Sequence, residues 1–306
     1  MAFLYLLEKI RMPVLNEFML LITRFGEETA FLVAAMIVFW CVDKRQGYYV
    51  LGVGFLGTIT NQFMKLLFRV PRPWVLDRNF TILEQAREAA GGYSFPSGHT
   101  QSAVGTFGAI ARFAKNPWVR RCCVAVAVLV PISRMYVGVH TPKDVLVAAA
   151  TAIVLILALY PLIHNGNGKY IPGFLAVMTA ISVAYLLFVE LYPFPADIDP
   201  HNLQSGVKNA YTLFGCLIGL LVVYYLDEKK LHFSTDAVWW AQALKVLGGL
   251  VVVLIIKEGT RSLLDILFAG HMIARAIRYF LVVITAGVVW PLTFPWFASL
   301  GKKEKK

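Results

Sequence analysis

The chain has 306 residues, of which 58% are hydrophobic and only 15% are charged. One soluble core of this length cannot bury so much apolar surface, and the apolar residues occur in long runs, so the composition excludes an ordinary soluble protein. The net charge is +11, but the basic residues lie between apolar runs, which favours membrane topology over nucleic-acid binding.

The chain begins with a short apolar segment, Phe3–Ile10, that is interrupted by Glu8 and Lys9. No small-residue cleavage site follows it, so we do not expect it to be a cleavable signal peptide. We predict a short amphipathic helix that lies on the membrane surface.

Nine apolar stretches follow, each long enough to suggest a membrane-spanning helix. They are 27–42, 46–67, 98–114, 118–136, 142–163, 170–192, 209–226, 237–256 and 279–299. The segment 257–272 places charged residues among apolar ones and could be a loop, a surface helix or a re-entrant piece. The predicted fold is therefore an all-α, polytopic integral membrane protein with about nine transmembrane helices.

Three polar segments stand at the ends of predicted spans, on one side of the membrane. They are Lys65-Leu-Leu-Phe-Arg-Val-Pro-Arg72-Pro73, then Pro96-Ser97-Gly98-His99, then Ser133-Arg134-Met-Tyr-Val-Gly-Val-His140-Thr-Pro-Lys-Asp144. Each segment alone has an ordinary interpretation, as a juxtamembrane loop or a helix start. Together they combine the residue types of a reactive site, and a chance match is negligible.

The cations and helix starts of these segments suit phosphoryl transfer. That reaction needs cations and N–H donors around the phosphate oxygens, an in-line nucleophile and an acid for the leaving group. Lys65, Arg72 and Arg134 can supply the cations, and an arginine fork binds two oxygens at once. Ser97 and Gly98 stand at a helix start, where free backbone N–H groups form an anion site.

Two histidines, His99 and His140, remain for the nucleophile and proton-transfer roles. Asp144 follows His140 by four residues, so its carboxylate can accept the Nδ1–H and leave Nε2 free to attack. Asp144 with Thr141 is also a helix cap, and a single loop histidine is usually a solvated side chain. The combination of the three segments favours catalysis.

The three segments resemble the motifs Lys-x6-Arg-Pro, Pro-Ser-Gly-His and Ser-Arg-x5-His-x3-Asp of the type 2 phosphatidic acid phosphatase superfamily, whose site is shared with vanadium haloperoxidases. The resemblance implies that His140 is the nucleophile that forms a phosphohistidine, that His99 protonates the leaving oxygen, and that Asp144 orients His140. It implies phosphate binding by five residues: Lys65, Arg72, Ser97, Gly98 and Arg134. That family uses no metal, so we expect no cofactor and no metal site.

The resemblance also implies a helical-bundle phosphatase core. We predict that the core, with its N-terminal interfacial helix, occupies 1–165, and that 166–306 forms an extension of about four transmembrane helices. Four spans after the core give a layout that resembles glucose-6-phosphatase and the sphingosine-1-phosphate phosphatases.

The basic residues also bear on orientation. They occur in every connection on the side of the C-terminal tail, Lys302–Lys306, where the loops are short and the positive-inside rule holds best. Several basic residues on the other side belong to the predicted phosphate site. We therefore expect a cytoplasmic C-terminus and an active site on the non-cytoplasmic face.

The leading functional hypothesis is a membrane phosphatase, a phosphoric ester hydrolase, that acts on a phosphomonoester or diphosphate of a polyprenyl, glycerolipid or sphingoid lipid. A site at span ends suits an amphiphile whose tail stays in the bilayer. The alternatives are a sugar-phosphate phosphatase of the glucose-6-phosphatase type, a lipid phosphotransferase and, more remotely, a transporter. The expected partners are the lipid phosphate and the bilayer, without nucleic acid, and the oligomeric state stays open.

Four cysteines and one lysine stand outside the motifs. The cysteines, Cys41, Cys122, Cys123 and Cys216, lie in or beside apolar spans, without the spacing of a zinc site or a disulfide framework. We expect four buried thiols with no redox role. Lys245 lies near the middle of a predicted span, where snorkelling would be strained, and a functional or ion-pair role is one interpretation.

Overall fold

The protein is described by a computed structural model that covers residues 1–88 and 90–300, so the tail Lys302–Lys306 lies outside the described residues. Within these ranges the regular structure is helical, which confirms the predicted all-α class. The α-helices in chain order are α1 Ala2–Lys9, α2 Pro13–Thr23, α3 Glu28–Ile37, α4 Lys44–Phe68, α5 Pro73–Leu76, α6 Gly98–Phe113, α7 Pro117–Tyr136, α8 Pro142–His164, α9 Ile171–Leu191, α10 Pro200–Leu226, α11 Trp239–Leu267, α12 Ile273–Ile284 and α13 Phe294–Ser299.

Short segments with other helical hydrogen bonding interrupt or end several of these helices. The 3₁₀ segments are Arg24–Gly26, Glu84–Ala86, Asn165–Gly168 and Trp290–Thr293, and the π segments are Val38–Val42, Asp227–Leu231 and Thr285–Val289. The helical pattern of the last predicted span changes in the same way, because Pro291 and Pro295 follow the π segment Thr285–Val289.

Every predicted span coincides with a helix, but the count of nine is approximate. Six helical stretches are long and apolar enough to cross a membrane, or seven if Pro13–Gly26 and Glu28–Val42, bent by 57°, form one span. α6 has only 16 residues, and α7 carries three arginines, so these two helices fall outside that set. The chain is thus a multi-pass integral membrane protein.

Lipid exposure explains why so many large apolar side chains point outward. Only 28% of the apolar window of Pro142–His164 and 22% of that of Trp239–Leu267 is buried inside the protein. Leu146 and Ile266 are 68% and 80% exposed, which would be costly in water but suits a hydrocarbon environment.

The structure adds one helix that the sequence analysis did not predict, and it decides the conformation of most of one segment that the analysis left open. α1 matches the predicted surface helix, but α2 was not predicted; it begins at Pro13, whose fixed φ suits a first helical position. The interpretation of the segment 257–272 was left open between a loop, a surface helix and a re-entrant piece. The structure shows that most of it is helical, because α11 continues to Leu267.

The described residues form two compact units. The first unit contains Met1–Ala34, Tyr49–Pro161 and Tyr192–Gly206, and the second contains Ala35–Tyr48, Leu162–Leu191 and the described chain from Val207 onward. The division of the sequence into 1–165 and 166–306 concerns functional regions and stays a prediction.

The expectation of four buried thiols is wrong for two of them. Cys123 and Cys216 are buried, but Cys122 is exposed and Cys41 is half-buried. Cys122 lies on the outward face of α7, where Val124 and Val128 are also exposed, so its thiol faces lipid like its apolar neighbours.

Candidate active site

The eight predicted site residues lie within the first unit, at the ends of its helices. Lys65 is in the last turn of α4, Arg72 is the N-cap of α5, Ser97 is the N-cap of α6, Gly98 and His99 are in the first turn of α6, Arg134 is in the last turn of α7, His140 lies between α7 and α8, and Asp144 is in the first turn of α8. All are buried except Gly98 and His99, which are half-buried. Helix ends carry backbone groups without intrahelical partners, so a polar site can form there in an otherwise apolar protein.

The Arg72 guanidinium ties two loops to a histidine. Its Nε donates to the Gly92 carbonyl at 3.0 Å and its Nη2 to the Gly91 carbonyl at 2.8 Å. Its Nη1 donates to the Val139 carbonyl at 3.0 Å and also lies 2.9 Å from Nε2 of His140. The fork therefore fixes the glycine loop and sets a cationic donor against the imidazole nitrogen.

The other two cations differ in how far their donors are used. Lys65 Nζ donates to the Tyr93 carbonyl. Arg134 donates from Nη1 to Thr23 Oγ1 at 2.7 Å, but its Nε and Nη2 are buried and have no hydrogen-bond partner among the described residues. Glu27 is close enough to Arg134 to interact with it electrostatically. Arg134 therefore keeps two nitrogen donors for a ligand anion.

His140 and Asp144 are adjacent, but the closest contact is longer than a hydrogen bond. The distance from His140 Nδ1 to Asp144 Oδ2 is 3.6 Å. That oxygen accepts from Ser94 Oγ at 2.7 Å and from the Thr141 N–H at 2.8 Å, while the His140 ring bonds the Ser94 backbone. The helix cap and the predicted orienting role thus share one oxygen, and the orienting role stays a prediction.

The surroundings of His140 keep its imidazole neutral. Burial lowers the pKa of His140 well below its ordinary range, and the nearby positive charges of Arg72, Arg134 and Lys65 lower it further. The hydrogen bond to the Ser94 backbone acts in the opposite direction. A neutral imidazole at neutral pH has the lone pair that a nucleophile requires.

The start of α6 collects hydrogen-bond donors. Ser97 Oγ accepts from the Thr100 N–H at 3.4 Å, and the Ser97 N–H donates to the Asp144 carbonyl at 3.1 Å. The N–H groups of Gly98 and His99 belong to the first helical turn and have no intrahelical acceptor. The His99 Nε2 atom is buried without a partner among residues 1–88 and 90–300. This helix start can bind an anion and transfer a proton.

Three residues that the sequence analysis missed support these groups. Thr23, at the end of α2, holds Arg134, and Ser94 holds Asp144. A Cβ at Gly26 would stand 2.8 Å from the Cβ of His99, so glycine permits the close approach of the 3₁₀ turn to α6. Ser94 stands two positions before the Pro96-Ser97-Gly98-His99 motif, so its place in the sequence could have suggested a role in the site. Thr23 lies near none of the three motifs, and nothing in the local sequence suggests such a role.

Candidate metal ligands do not cluster within the described residues: no three histidine, cysteine, aspartate or glutamate side chains converge there. The expectation that no metal takes part stays a prediction.

Lys245 lies in the second unit, outside this site. Its Nζ donates to the Trp40 carbonyl at 2.8 Å and to the Thr235 carbonyl at 3.2 Å, and it lies 4.4 Å from the centre of the Phe294 ring. Its partners are carbonyl oxygens and an aromatic ring, not a carboxylate, so this contact set is not the ion pair that one interpretation suggested.

Comparisons with known proteins match both parts of the chain. The PAP2 superfamily profile matches residues 46–167, and the profile described as the transmembrane extension of PAP2 superfamily phosphatases matches residues 211–303. The chain is 31% identical over 144 residues to undecaprenyl-diphosphatase BcrC of Bacillus subtilis (strain 168), which covers 46% of this chain and 72% of that protein. It is 27% identical over 138 residues to an undecaprenyl-diphosphatase of Sulfolobus acidocaldarius, covering 44% of this chain and 65% of that protein. No solved structure matches.

Proposed function

Because this chain belongs to the PAP2 superfamily and is a membrane phosphatase of lipid phosphates, we propose that its substrate is a polyprenyl diphosphate and that His140 attacks the terminal phosphorus. Both relatives named above are undecaprenyl-diphosphatases, which supports a long isoprenoid diphosphate as the class of substrate. The observation that carries the proposal is Arg134, a buried cation with two unused donors near His140.

The charge of the site favours a diphosphate. With His140 neutral, and before the proton that His99 donates is counted, the three cations Lys65, Arg72 and Arg134 face one buried carboxylate, that of Asp144. Three positive charges less one negative charge leave a net charge of +2. A buried excess of positive charge is costly unless an anion balances it, and a diphosphate carries more negative charge than a monoester.

The first chemical step forms a covalent intermediate. His140 Nε2 attacks the terminal phosphorus, the bond from that phosphorus to the bridging oxygen breaks, and His99 gives its proton to that oxygen. The lipid leaves as its monophosphate. Arg72, whose Nη1 already touches His140 Nε2, and Arg134 stabilise the charge that develops on the equatorial oxygens.

The second step hydrolyses the phosphohistidine. His99, now neutral, takes a proton from water, the water oxygen bonds to phosphorus, and the bond from phosphorus to His140 Nε2 breaks. Inorganic phosphate leaves, His140 is neutral again and His99 is protonated for the next turnover. Ser97, Gly98 and Lys65 hold the phosphate through both steps, and Asp144 orients His140.

We also propose the division into functional regions and the membrane orientation that the sequence analysis predicts. Residues 1–165 form the catalytic region and 166–306 the transmembrane extension, and the matches of two different profiles, to 46–167 and to 211–303, support this division. The active site faces the non-cytoplasmic side, with the C-terminus in the cytoplasm. Cysteine labelling in intact cells that placed the loop 77–88 in the cytoplasm would overturn this orientation.

A substrate panel tests the proposal. Farnesyl diphosphate, farnesyl phosphate, phosphatidate and glucose 6-phosphate are offered to purified full-length protein, with His140→Ala as the matched inactive control. We expect kcat/KM for farnesyl diphosphate to exceed that for glucose 6-phosphate by about tenfold or more, which is about 1.4 kcal/mol of transition-state discrimination. Faster turnover of the sugar phosphate would replace the lipid substrate, and transfer of phosphate to an added alcohol instead of water would reveal a phosphotransferase.

A further inference from the structure

A polar cavity of about 380 Å³ lies in the second unit, and none of its lining residues takes part in the proposed reaction. Its size falls within the range of small-ligand sites. The lining residues are Lys44, Arg45 and Tyr48 from the start of α4, Gly168, Lys169 and Ile171 from the connection into α9, and Tyr224, Asp227 and Glu228 from the end of α10. Three membrane-crossing stretches therefore begin or end at this cavity. Ends of spans lie at the level of the lipid headgroups.

The cavity has a positive side. Lys44 is already neutralised by Asp227, whose Oδ2 lies 2.5 Å from its Nζ. Arg45 and Lys169 add two further positive charges, and the exposed Glu228 adds one negative charge. The set of lining charges is therefore positive by one.

The backbone adds to this positive side. α4 begins at Lys44 and α9 at Ile171, so the positive ends of two helix dipoles lie at the cavity, against the negative end of one helix, α10, which ends at Leu226. Gly168, with φ of +89°, brings the chain close to Arg45: a Cβ there would lie 3.5 Å from the arginine Nε. The connection into α9 thus passes close to the Arg45 side chain.

The side chain of Tyr48 points to a ligand. Tyr48 is 3% exposed, it lines the cavity, and its hydroxyl is buried without a hydrogen-bond partner among the described residues. Its ring is held by edge contacts with Phe39 and Tyr224, so the hydroxyl is fixed in place. A buried hydroxyl without an acceptor destabilises the protein, and an oxyanion in the cavity would remove that cost.

We propose that this cavity binds the phosphate group of an anionic phospholipid headgroup. The phosphate accepts hydrogen bonds from the Tyr48 hydroxyl and from the cations on the positive side, Arg45 and Lys169. The position at three span ends favours a lipid over a free phosphate, because a headgroup is held at that level by its own acyl chains. No histidine is among the lining residues, so the site binds the phosphate without hydrolysing it.

The experiment uses full-length protein in a neutral detergent and dioctanoyl phosphatidylglycerol as the probe. Thermal unfolding, followed by the fluorescence of the seven tryptophans, gives an apparent Kd from the rise of Tm with lipid concentration. Dioctanoylglycerol has the same chains without the phosphate and should leave Tm unchanged. Glycerol 3-phosphate and inorganic phosphate carry the phosphate without the chains.

Two matched pairs of variants locate the binding. Tyr48→Phe should raise the apparent Kd about tenfold, because it removes a hydrogen bond to a charged group, whereas Tyr225→Phe, an exposed neighbour of the cavity-lining Tyr224, should leave it unchanged. Lys169→Gln should weaken binding, and Lys230→Gln should not. Without lipid, Tyr48→Phe should be at least as stable as the wild type, because its hydroxyl has no hydrogen-bond partner among the described residues to lose. This arm separates lost binding from failed folding.

The outcomes decide between the sources of the phosphate. Equal affinities of Tyr48→Phe and Tyr225→Phe, or an equal response to dioctanoylglycerol, would overturn the site. A response to glycerol 3-phosphate or inorganic phosphate at the same concentrations would overturn the assignment to a lipid. Arg134→Gln, a variant of the proposed active site, should keep the Tyr48-dependent response, and its loss there would show that the lipid binds at the active site instead.

Discussion

Arg134 in the first unit and Lys245 in the second are both fully buried cations, yet their hydrogen bonding differs. Lys245 uses its ammonium on two backbone carbonyls and the ring of Phe294. Arg134 makes one hydrogen bond, to Thr23, and keeps Nε and Nη2 without partners among the described residues.

The difference indicates that Lys245 has a structural role and that Arg134 keeps its hydrogen-bond donors for a ligand. A buried charge is expensive unless its donors are satisfied. One acceptor of Lys245, the Trp40 carbonyl, belongs to the π segment Val38–Val42, where the helical hydrogen-bond pattern changes, so Lys245 stabilises an irregular turn. Arg134 retains unsatisfied donors beside the proposed nucleophile. The protein tolerates that cost at the site where phosphate is expected to bind.

The largest effect is expected for Arg134→Gln. Loss of the guanidinium should lower kcat/KM for the diphosphate by about 10³-fold, because it removes donors aimed at the transferred phosphate. Tm should stay level or rise, because two unpartnered buried donors disappear. Steady-state kinetics and thermal unfolding of the same preparation check both. If activity falls only in proportion to the amount of folded protein, the role of Arg134 is structural, as we propose for Lys245, and the difference between the two residues is contradicted.

The pH profile tests the lowered pKa of His140. Its ordinary value is about 6.5, and burial with three neighbouring cations lowers it, so the neutral form should persist below pH 6.5. As pH falls through the lowered pKa, His140 gains a proton, and kcat/KM should fall about tenfold per pH unit. Because the substrate phosphate also titrates, NMR of ¹⁵N-labelled histidine in wild type and His140→Ala assigns the transition. A His140 signal that titrates above pH 6.5 would contradict the account.

A smaller effect is expected at Thr23, which we interpret as a positioning residue for Arg134. Thr23→Val keeps the shape and loses the hydroxyl, and it should lower kcat/KM about tenfold, as losses of supporting hydrogen bonds often do. Most of the change should appear in kcat, because Arg134 keeps its charge but its guanidinium is no longer held in the orientation that the transition state requires. Thr23→Ser should restore activity. Thr151→Val, which removes a hydroxyl bonded within its own helix, is the matched control and should be silent.

The smallest effect on activity is expected for Lys245→Met. Two carbonyls lose a donor, so Tm should fall by several degrees, equivalent to about 1–3 kcal/mol. The kcat/KM of the protein that remains folded should stay within about twofold of wild type, because Lys245 has no part in the proposed reaction and contacts none of the residues assigned to it. Activity per folded molecule, with the folded fraction taken from thermal unfolding, is the measurement. A fall in kcat per folded molecule would show that Lys245 takes part in the function of the protein and does not only stabilise its fold.

The sequence analysis located the apolar helices, though not α2, and proposed the eight candidate residues, because both signals are local. Apolar runs define spans, and each motif occupies only a few residues. The partner of Arg134 was out of reach, because Thr23 lies 111 positions away on a helix that carries no motif. The contact between His140 and Asp144 was also beyond the spacing argument. Their four-residue separation allows a hydrogen bond, but Ser94 and Thr141 compete for the same oxygen.

Rapid acid and base quenching with substrate labelled on its terminal phosphate tests the central claim, that His140 becomes phosphorylated. The wild type should form an acid-labile, base-stable phosphoprotein with farnesyl diphosphate and with p-nitrophenyl phosphate. His99→Ala should still be labelled by p-nitrophenyl phosphate, because that leaving group departs without a proton. His140→Ala should carry no label from either substrate. A labelled His140→Ala protein would show that another residue is the nucleophile.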